Sequence, residues 1–408
     1  MQDRELYFYL LGLKSPWTVE RVTLDIKNRR VDVWAEHPEG ASWECPECLK
    51  KLGVHDHAEE RTWRHLDSCQ CQTHLHARIP RVKCSEHGIR QVNVPWAEAK
   101  SRFTLMFERL AIDVLGECGV SGAADVLGLS WDEGWGIMKR AVARGFKRKK
   151  KKAIHRIAVD EKAAAKGHKY LTIVSDLEKG VVDHVAEDRK QKSLEDYYDG
   201  LGPKRREAIE VVSFDMWDPY IAATRAKIPG ADEKMVFDRF HVMGHVGKAV
   251  DSVRKLEHKE LMRAGDETLK GTKFLWLYGK ENVPRTRRLE FSELKRMNLK
   301  VSRAWAIKEM LRKLWHFLSE GAARRFWKRW YFWATHSRLA PIRKAAKTIK
   351  DHIANIMTYF QHRVTNAMSE SINSKIQKIK QMACGFRNIE NFKTSIYFHC
   401  GGLDLYPC

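Results

Sequence analysis

The sequence predicts a multidomain α/β protein: a small cysteine-rich domain, a short helical module, and a mixed-sheet domain carrying a large all-helical insertion. Three observations carry this. Five of the nine cysteines fall between Cys45 and Cys84. The hydrophobic period changes from alternating to helical near Phe103, and to short apolar runs beyond residue 154. The length, 408 residues, exceeds what one core usually organises, so roughly two to four domains are expected.

Composition narrows the class. With 43% hydrophobic and 31% charged residues the chain is expected to be globular. No stretch approaches the roughly 20 apolar residues that span a bilayer. The start, MQDRELYFYLLGL, lacks a basic leader region and a cleavage site, so an intracellular, cytoplasmic protein is expected. Lys and Arg number 74 against 52 Asp and Glu, a net charge of +22. Such an excess favours a polyanion, because each neutralised phosphate releases a condensed counterion. A membrane surface would call for one basic amphipathic helix, whereas here the charge is spread along the chain. Nucleic acid is the expected partner. In a reducing compartment an odd, clustered set of cysteines points to metal ligation before disulfides.

Residues 17–35 alternate apolar and polar and predict two strands around Lys27-Asn28-Arg29-Arg30. The cysteine-rich stretch continues to about residue 96, and its HLHARIPRVKC portion reads as a further strand. From Phe103 to Arg144 the apolar spacing is helical. Residues 147–152, KRKKKK, contain no apolar side chain and read as a linker. Beyond them come RIAVD, YLTIVSD and VVDHVA, the helical SLEDYYDGL, IEVVSFD, the helical PYIAATRAKI, and KMVFD. Three strands, helix, strand, helix, strand is the succession an RNase H-like core requires. Residues 240–360 are almost wholly helical and rich in Trp, Arg and Lys. The expected domains are 1–98 (zinc finger), 99–146 (helix-turn-helix), 147–154 (basic linker) and 155–400 (RNase H-like), the last interrupted by helices over 246–360.

Cys45-Pro-Glu-Cys48 and Cys84-Ser-Glu-His87 form two knuckles, each with two ligand types suited to tetrahedral zinc. Cys69 and Cys71 are rivals, and His55, His57, His65, His74 and His76 crowd the same region. Three thiolates and an imidazole leave no open position for substrate, so one structural Zn²⁺ is expected, holding a domain with little core of its own.

Ser121 to Ser130 (SGAADVLGLS) offers a small-residue helix, a glycine near a turn, and Ser130 as N-cap of the following helix. This is the pattern of a helix-turn-helix, whose second helix would enter the major groove. An ordinary helical hairpin shares that periodicity; the neighbouring basic run favours DNA. Ser130, Lys139, Arg140, Lys147, Arg148, Lys149 and Lys150 are the expected DNA contacts.

Asp160 ends RIAVD and Asp215 ends VVSFD. Carboxylates at the ends of neighbouring strands converge, and can share two divalent cations of the kind that drive phosphoryl transfer. Oxygen ligands suit Mg²⁺, or Mn²⁺ in its place. A third carboxylate is wanted from a helix on the sheet. Glu370 is the candidate, on one helical face with Asn366, Asn373 and Gln377. A lone strand-end Asp is more often a turn or cap residue; two in this strand order on a basic chain are harder to dismiss. Asp238 ends KMVFD and is a possible ligand or supporting group, with Arg239 and His241 as possible phosphate contacts. Trp305, Trp315, Trp327, Trp330 and Trp333 are expected mainly in a core, with the Arg and Lys around them facing phosphates.

Over nearly its full length the chain resembles transposases of the ISL-three family of insertion sequences. The resemblance rests on the Cys45/Cys48–Cys84/His87 finger, the helix-turn-helix, IAVDE, VVSFDMWDPY, VFDRFHVMGHVGKAVDSVR and NAMSESINSKIQKIKQMACGFRNIENF. It implies a DDE triad of Asp160, Asp215 and Glu370, and a helical insertion between the last two. His87 departs from the cysteine often found there and remains a competent ligand. The resemblance further implies cutting at terminal inverted repeats and joining to target DNA. Two ends handled together call for at least a dimer on symmetry grounds, and a cytoplasmic, nucleoid-associated protein is expected. The rival from another class is a non-catalytic DNA-binding regulator derived from a transposase, for which convergent carboxylates have no use.

Overall fold

The computed structural model describes residues 3–165, 169–364 and 367–408. The chain divides into two compact units. One comprises Met1–Lys150, Gln381–Cys384 and Thr394–Cys408, the other Lys151–Lys380 and Gly385–Lys393.

The first unit opens with strands β1 (Thr18–Asp25) and β2 (Arg30–Glu36), paired antiparallel. Asp25 makes the turn between them by accepting from the Asn28 backbone N–H (3.0 Å) and side-chain amide (2.7 Å). β3 (Ser42–Glu44) and β4 (Lys51–Gly53) form a separate two-stranded ribbon. β5 (Asp56–Ser68), β6 (Cys71–Cys84) and β7 (Gly88–Gln91) complete the main sheet, in the order β1-β2-β6-β5 with β7 also on β6. Alternation along β2 sends Val31, Val33 and Ala35 inward. There they meet Leu75 and Ile79 of β6 and the tryptophans Trp17, Trp63 and Trp96.

Three helices follow, Leu105–Glu117, Val120–Leu127 and Trp131–Arg148. The middle one stops at Gly128, whose φ of +63° is the left-handed conformation glycine takes without penalty. Ser130 then starts the last helix through a reciprocal capping box with Glu133. Phe107, Leu115, Leu127, Trp135 and Met138 form the module's core, joined by Phe398 from the C-terminal segment. Two boundaries differ from the sequence reading. Lys147 and Arg148 continue the last helix, so the irregular link starts at Lys149. Residues from Thr394 onward belong to the first unit instead of running with the mixed-sheet domain to residue 400.

In the second unit β8 (Arg156–Ala165), β9 (Lys169–Asp176), β10 (Val181–Glu187), β11 (Val211–Phe214) and β12 (Met235–Phe237) form one sheet in the order β10-β9-β8-β11-β12. The first three run antiparallel, while β11 is parallel to both β8 and β12. The helices Gln191–Leu201 and Asp218–Lys227 pack on each other; Tyr198 OH and Thr224 Oγ1 lie 3.1 Å apart. Each strand and helix expected from the apolar runs is present. One detail is corrected: β8 continues to Ala165, so Asp160 lies within it and not at its end.

Beyond β12 a 25-residue helix, Arg239–Arg263, begins a series of helices reaching His362. It starts directly after the sheet, with no break at residue 246. Trp305, Trp315, Trp327 and Trp330 are buried, and only Trp333 of the five is exposed. The helix Ala367–Met382 returns to the sheet: Lys380 Nζ donates to the Ala163 carbonyl of β8 (2.6 Å). Among the described residues no helix is long and apolar enough to cross a membrane.

Candidate functional site

Two backbone turns gather the quartet of the first unit. After β3, Cys45 and Leu49 close a knuckle in which the Leu49 N–H donates to the Cys45 carbonyl (2.9 Å). The second knuckle joins β6 to β7, with Cys84 opposite Gly88 in register. The ligand atoms of Cys45, Cys48, Cys84 and His87 all lie within 4.8 Å of one another. Cys48 Sγ is 3.6 Å from Cys84 Sγ, and His87 Nδ1 is 3.5 Å from Cys84 Sγ and 3.9 Å from Cys45 Sγ. A tetrahedron with arms of ~2.3 Å has edges of ~3.8 Å, so the donor set fits zinc without rearrangement. Backbone N–H groups of the knuckles, from Cys48 and from Glu86 respectively, hold the Cys45 and Cys84 thiols below the ordinary value and favour the ligating thiolates. His87 Nε2 faces Glu47 (3.6 Å), the outer contact that orients a ligating imidazole.

None of the rivals belongs to the quartet. Cys69 and Cys71 sit at the β5–β6 hairpin, outside the quartet. His76 bonds Asp32 (2.6 Å), His57 meets His37 (2.9 Å), and buried His65 meets Thr104 (2.9 Å).

In the helical module the expected contacts divide. Lys139, Lys147, Lys149 and Lys150 are exposed. Ser130 Oγ is engaged in its capping box. Arg140 bonds the buried Glu108 (Nε, 3.1 Å), and Arg148 donates to the Tyr406 carbonyl (2.6 Å). Both guanidiniums therefore hold the module together. Their partners lie 32 and 258 residues away in sequence, so no local pattern reveals the attachment.

In the second unit the three carboxylates line one cleft, though their oxygens do not reach the mutual closeness of the Cys/His quartet. That cleft, of about 560 Å³, is lined by Asp160, Asp215 and Glu370, with Asp238, His241 and Asn373 beside them. β8 and β11 pair as far as Ala158 and Ser213 and then part, which leaves Asp160 and Asp215 just beyond the last pair. Each has one oxygen fixed by the next backbone N–H: Glu161 N–H donates to Asp160 Oδ1 (2.7 Å) and Met216 N–H to Asp215 Oδ1 (2.6 Å). The other oxygens differ. Asp160 Oδ2 accepts from the Asn373 amide, and Asp215 Oδ2 lies 3.4 Å from His241 Nδ1. His241 Nε2 in turn lies 3.6 Å from Asp238, which also caps the long helix by accepting from Phe240 N–H (2.7 Å).

Glu370 comes from the Ala367–Met382 helix, whose apolar positions Ile372, Ile376 and Ile379 are buried. Asn373 follows Glu370 by one helical turn, as the common face predicts; Asn366 lies outside the described residues. Arg239 does not enter the cleft. It stacks over Trp315 (5.5 Å) and lines a neighbouring groove of about 820 Å³.

Lys162 lines the cleft with the carboxylates, and burial draws its pKa down. On a chain of net charge +22, and among the described residues, no Lys or Arg forms an ion pair with Asp160, Asp215 or Glu370. Glu161 next door is different: burial raises its pKa, against the pull of Arg189 at 3.3 Å. Sequence reasoning missed this pair. Its members are 28 residues apart, and Arg189 is set by cation–π contacts with Tyr170 (4.4 Å) and Trp217 (4.9 Å).

Comparison with known proteins finds three family matches along the chain. A family model described as "Transposase", of the ISL3 DDE type, matches residues 157–396. The zinc finger of transposases IS204/IS1001/IS1096/IS1165 matches residues 41–87, and the helix-turn-helix domain of transposase family ISL3 matches 92–142. The chain is 26% identical to the transposase for insertion sequence element IS1001 of Bordetella parapertussis, over 96% of its own length and 97% of the relative's. It is 25% identical to the transposase for element IS1557 of Mycobacterium tuberculosis, over 95% and 93%. A zinc ribbon, a helix-turn-helix and a transposase domain in one chain define an insertion-sequence transposase, a DNA-processing enzyme. The chain belongs to the ISL3 family.

Proposed function

We propose that this transposase binds the terminal inverted repeats of its element, cuts DNA at the element ends, and joins the freed 3′-hydroxyls to target DNA. The observation that carries the reading is the cleft that Asp160, Asp215 and Glu370 line together, none of them in an ion pair with Lys or Arg among the described residues. The strand order β10-β9-β8-β11-β12, with its two parallel additions, supports an RNase H-like core. The helices between β12 and the Glu370 helix are then an insertion within it.

The oxygen-only donor set suits two Mg²⁺ or Mn²⁺ ions, held by Asp160, Asp215 and Glu370. Such ions, when bound, activate the attacking oxygen and stabilise the leaving one. The chain's own residues prepare the geometry. Backbone N–H groups fix one oxygen of each aspartate, so the other is presented in a set direction. Asn373 donates to the second oxygen of Asp160, and His241 lies beside the second oxygen of Asp215. In the first step water attacks phosphorus at the element end and the bond to the 3′ oxygen breaks. In the second that 3′-hydroxyl attacks a target phosphodiester, and the bond from that phosphorus to the target strand's own 3′ oxygen breaks, releasing a target 3′-hydroxyl. Both are in-line displacements, so one cleft serves both.

Cys45, Cys48, Cys84 and His87 hold one structural Zn²⁺. The ribbon and the helix-turn-helix read the repeats, with phosphate contacts from Lys139, Lys147, Lys149 and Lys150. Two ends handled together call for at least a dimer.

The test incubates purified protein with labelled DNA carrying the element ends, with Mg²⁺ or with EDTA. Metal-dependent nicks leaving 3′-hydroxyls at the boundary are expected. Asp160→Asn should reduce them roughly a hundredfold or more, the scale on which loss of one charge-stabilising group is felt. End-specific binding without cutting would instead favour a non-catalytic regulator.

A further inference from the structure

We infer that the paired helices Glu320–His336 and Ala340–Asp351 form a second DNA-binding face, which takes duplex phosphates without regard to sequence. This rests on the DNA-processing reading above and names a surface that neither the helix-turn-helix nor the acidic cleft supplies.

Between Gly321 and Lys350 the chain carries nine Lys and Arg and no Asp or Glu. Folding sorts these residues by face. The first helix buries Ala323, Phe326, Trp327, Trp330 and Ala334. Its outer stripe is Arg324, Arg325, Lys328 and Arg329, followed one turn later by the exposed Phe332 and Trp333. The second helix buries Ile342, Ala345, Ala346 and Ile349 and exposes Arg343, Lys344, Lys347 and Lys350. The two helices pack against each other.

An ordinary solvated helix face mixes signs, because opposite charges three or four residues apart support the helix and like charges weaken it. Here Arg324 and Lys328, Arg325 and Arg329, and Arg343 and Lys347 are like-charged pairs at that spacing. Arg324 has the flanking Glu320 (2.6 Å) and Lys350 sits over Tyr331 (5.4 Å). Among the described residues no ion pair engages Arg325, Lys328, Arg329, Arg343, Lys344 or Lys347. A polyanion relieves that repulsion.

An anionic membrane is the less suitable occupant. A membrane-binding helix inserts its apolar face, and here Phe326, Trp327 and Trp330 are committed to the core. The exposed aromatics beside cations suit the sugars and bases of nucleic acid.

The experiment measures binding of the full chain to a random-sequence duplex lacking element ends, as a function of NaCl. The comparison is the quadruple variant Arg325→Gln, Lys328→Gln, Arg329→Gln, Lys347→Gln, checked by circular dichroism. Removing four phosphate contacts should flatten the slope of log K against log salt by about 3 to 4. A slope that stays within about one unit of the parent's overturns the face, as does loss of binding to phosphatidylserine vesicles with duplex binding intact. Cleavage at element ends is read separately. A parent that binds duplex steeply but cuts nothing sinks the catalytic reading and leaves this one standing.

Discussion

Burial of His65 among the strands of the first unit draws its imidazole pKa down to about 4, from 6.5. Between those values the unfolded chain binds a proton that the folded chain refuses. Stability is therefore full above pH 6.5 and lost as the pH falls toward 4, by about 3 kcal/mol in all. Urea melts at pH 7, 5.5 and 4 are expected to show this loss, and His65→Gln should remove that part of the slope. A parent and variant with parallel pH profiles would show that His65 is not the responsible group.

Elements depend on their ends and their glycines. The Trp131–Arg148 helix begins with both halves of the Ser130–Glu133 capping box. Ser130→Ala should cost about 1 kcal/mol, read as a lower urea midpoint with unchanged m value. Gly247 lies inside the Arg239–Arg263 helix with open space where a Cβ would stand. Gly247→Ala should therefore stabilise by roughly 0.5–1 kcal/mol, raising the melting temperature of the second unit. A fall would mean that the helix is held by something the added methyl disturbs.

At the scale of the molecule, the proposed reading assigns recognition of the element ends to the first unit and strand cleavage to the second. Glu370→Gln should keep end-specific binding in a mobility-shift assay while strand cleavage disappears. Cys84→Ser, or a zinc chelator, should do the reverse to recognition: loss of a ligand unties the two knuckles that the metal would join, and end-specific binding falls. Zinc content per chain, measured by metal analysis, should fall from one toward zero in that variant. Cleavage retained by Glu370→Gln would remove Glu370 from the proposed triad.

The sequence by itself determined whatever depends on neighbours along the chain. Two knuckles of fixed spacing announced the zinc ribbon. Alternating and helical periods announced each strand of the second sheet, and a capping serine after a glycine announced the helix-turn-helix. Glu370 and Asn373 were legible because one helical turn separates them. Tertiary structure alone decided what depends on distant partners. Arg140 and Arg148 read as free cations until the fold supplied Glu108 and the Tyr406 carbonyl. Arg239 is expected at phosphates, and its stacking over Trp315 was not legible in the sequence. Asp160 read as a strand end, because the apolar run stops there; β9 carries the strand on to Ala165, with Asp160 opposite Ile173. Periodicity records which side of an element is buried, whereas the partner of a charge is set by how elements far apart in sequence pack together.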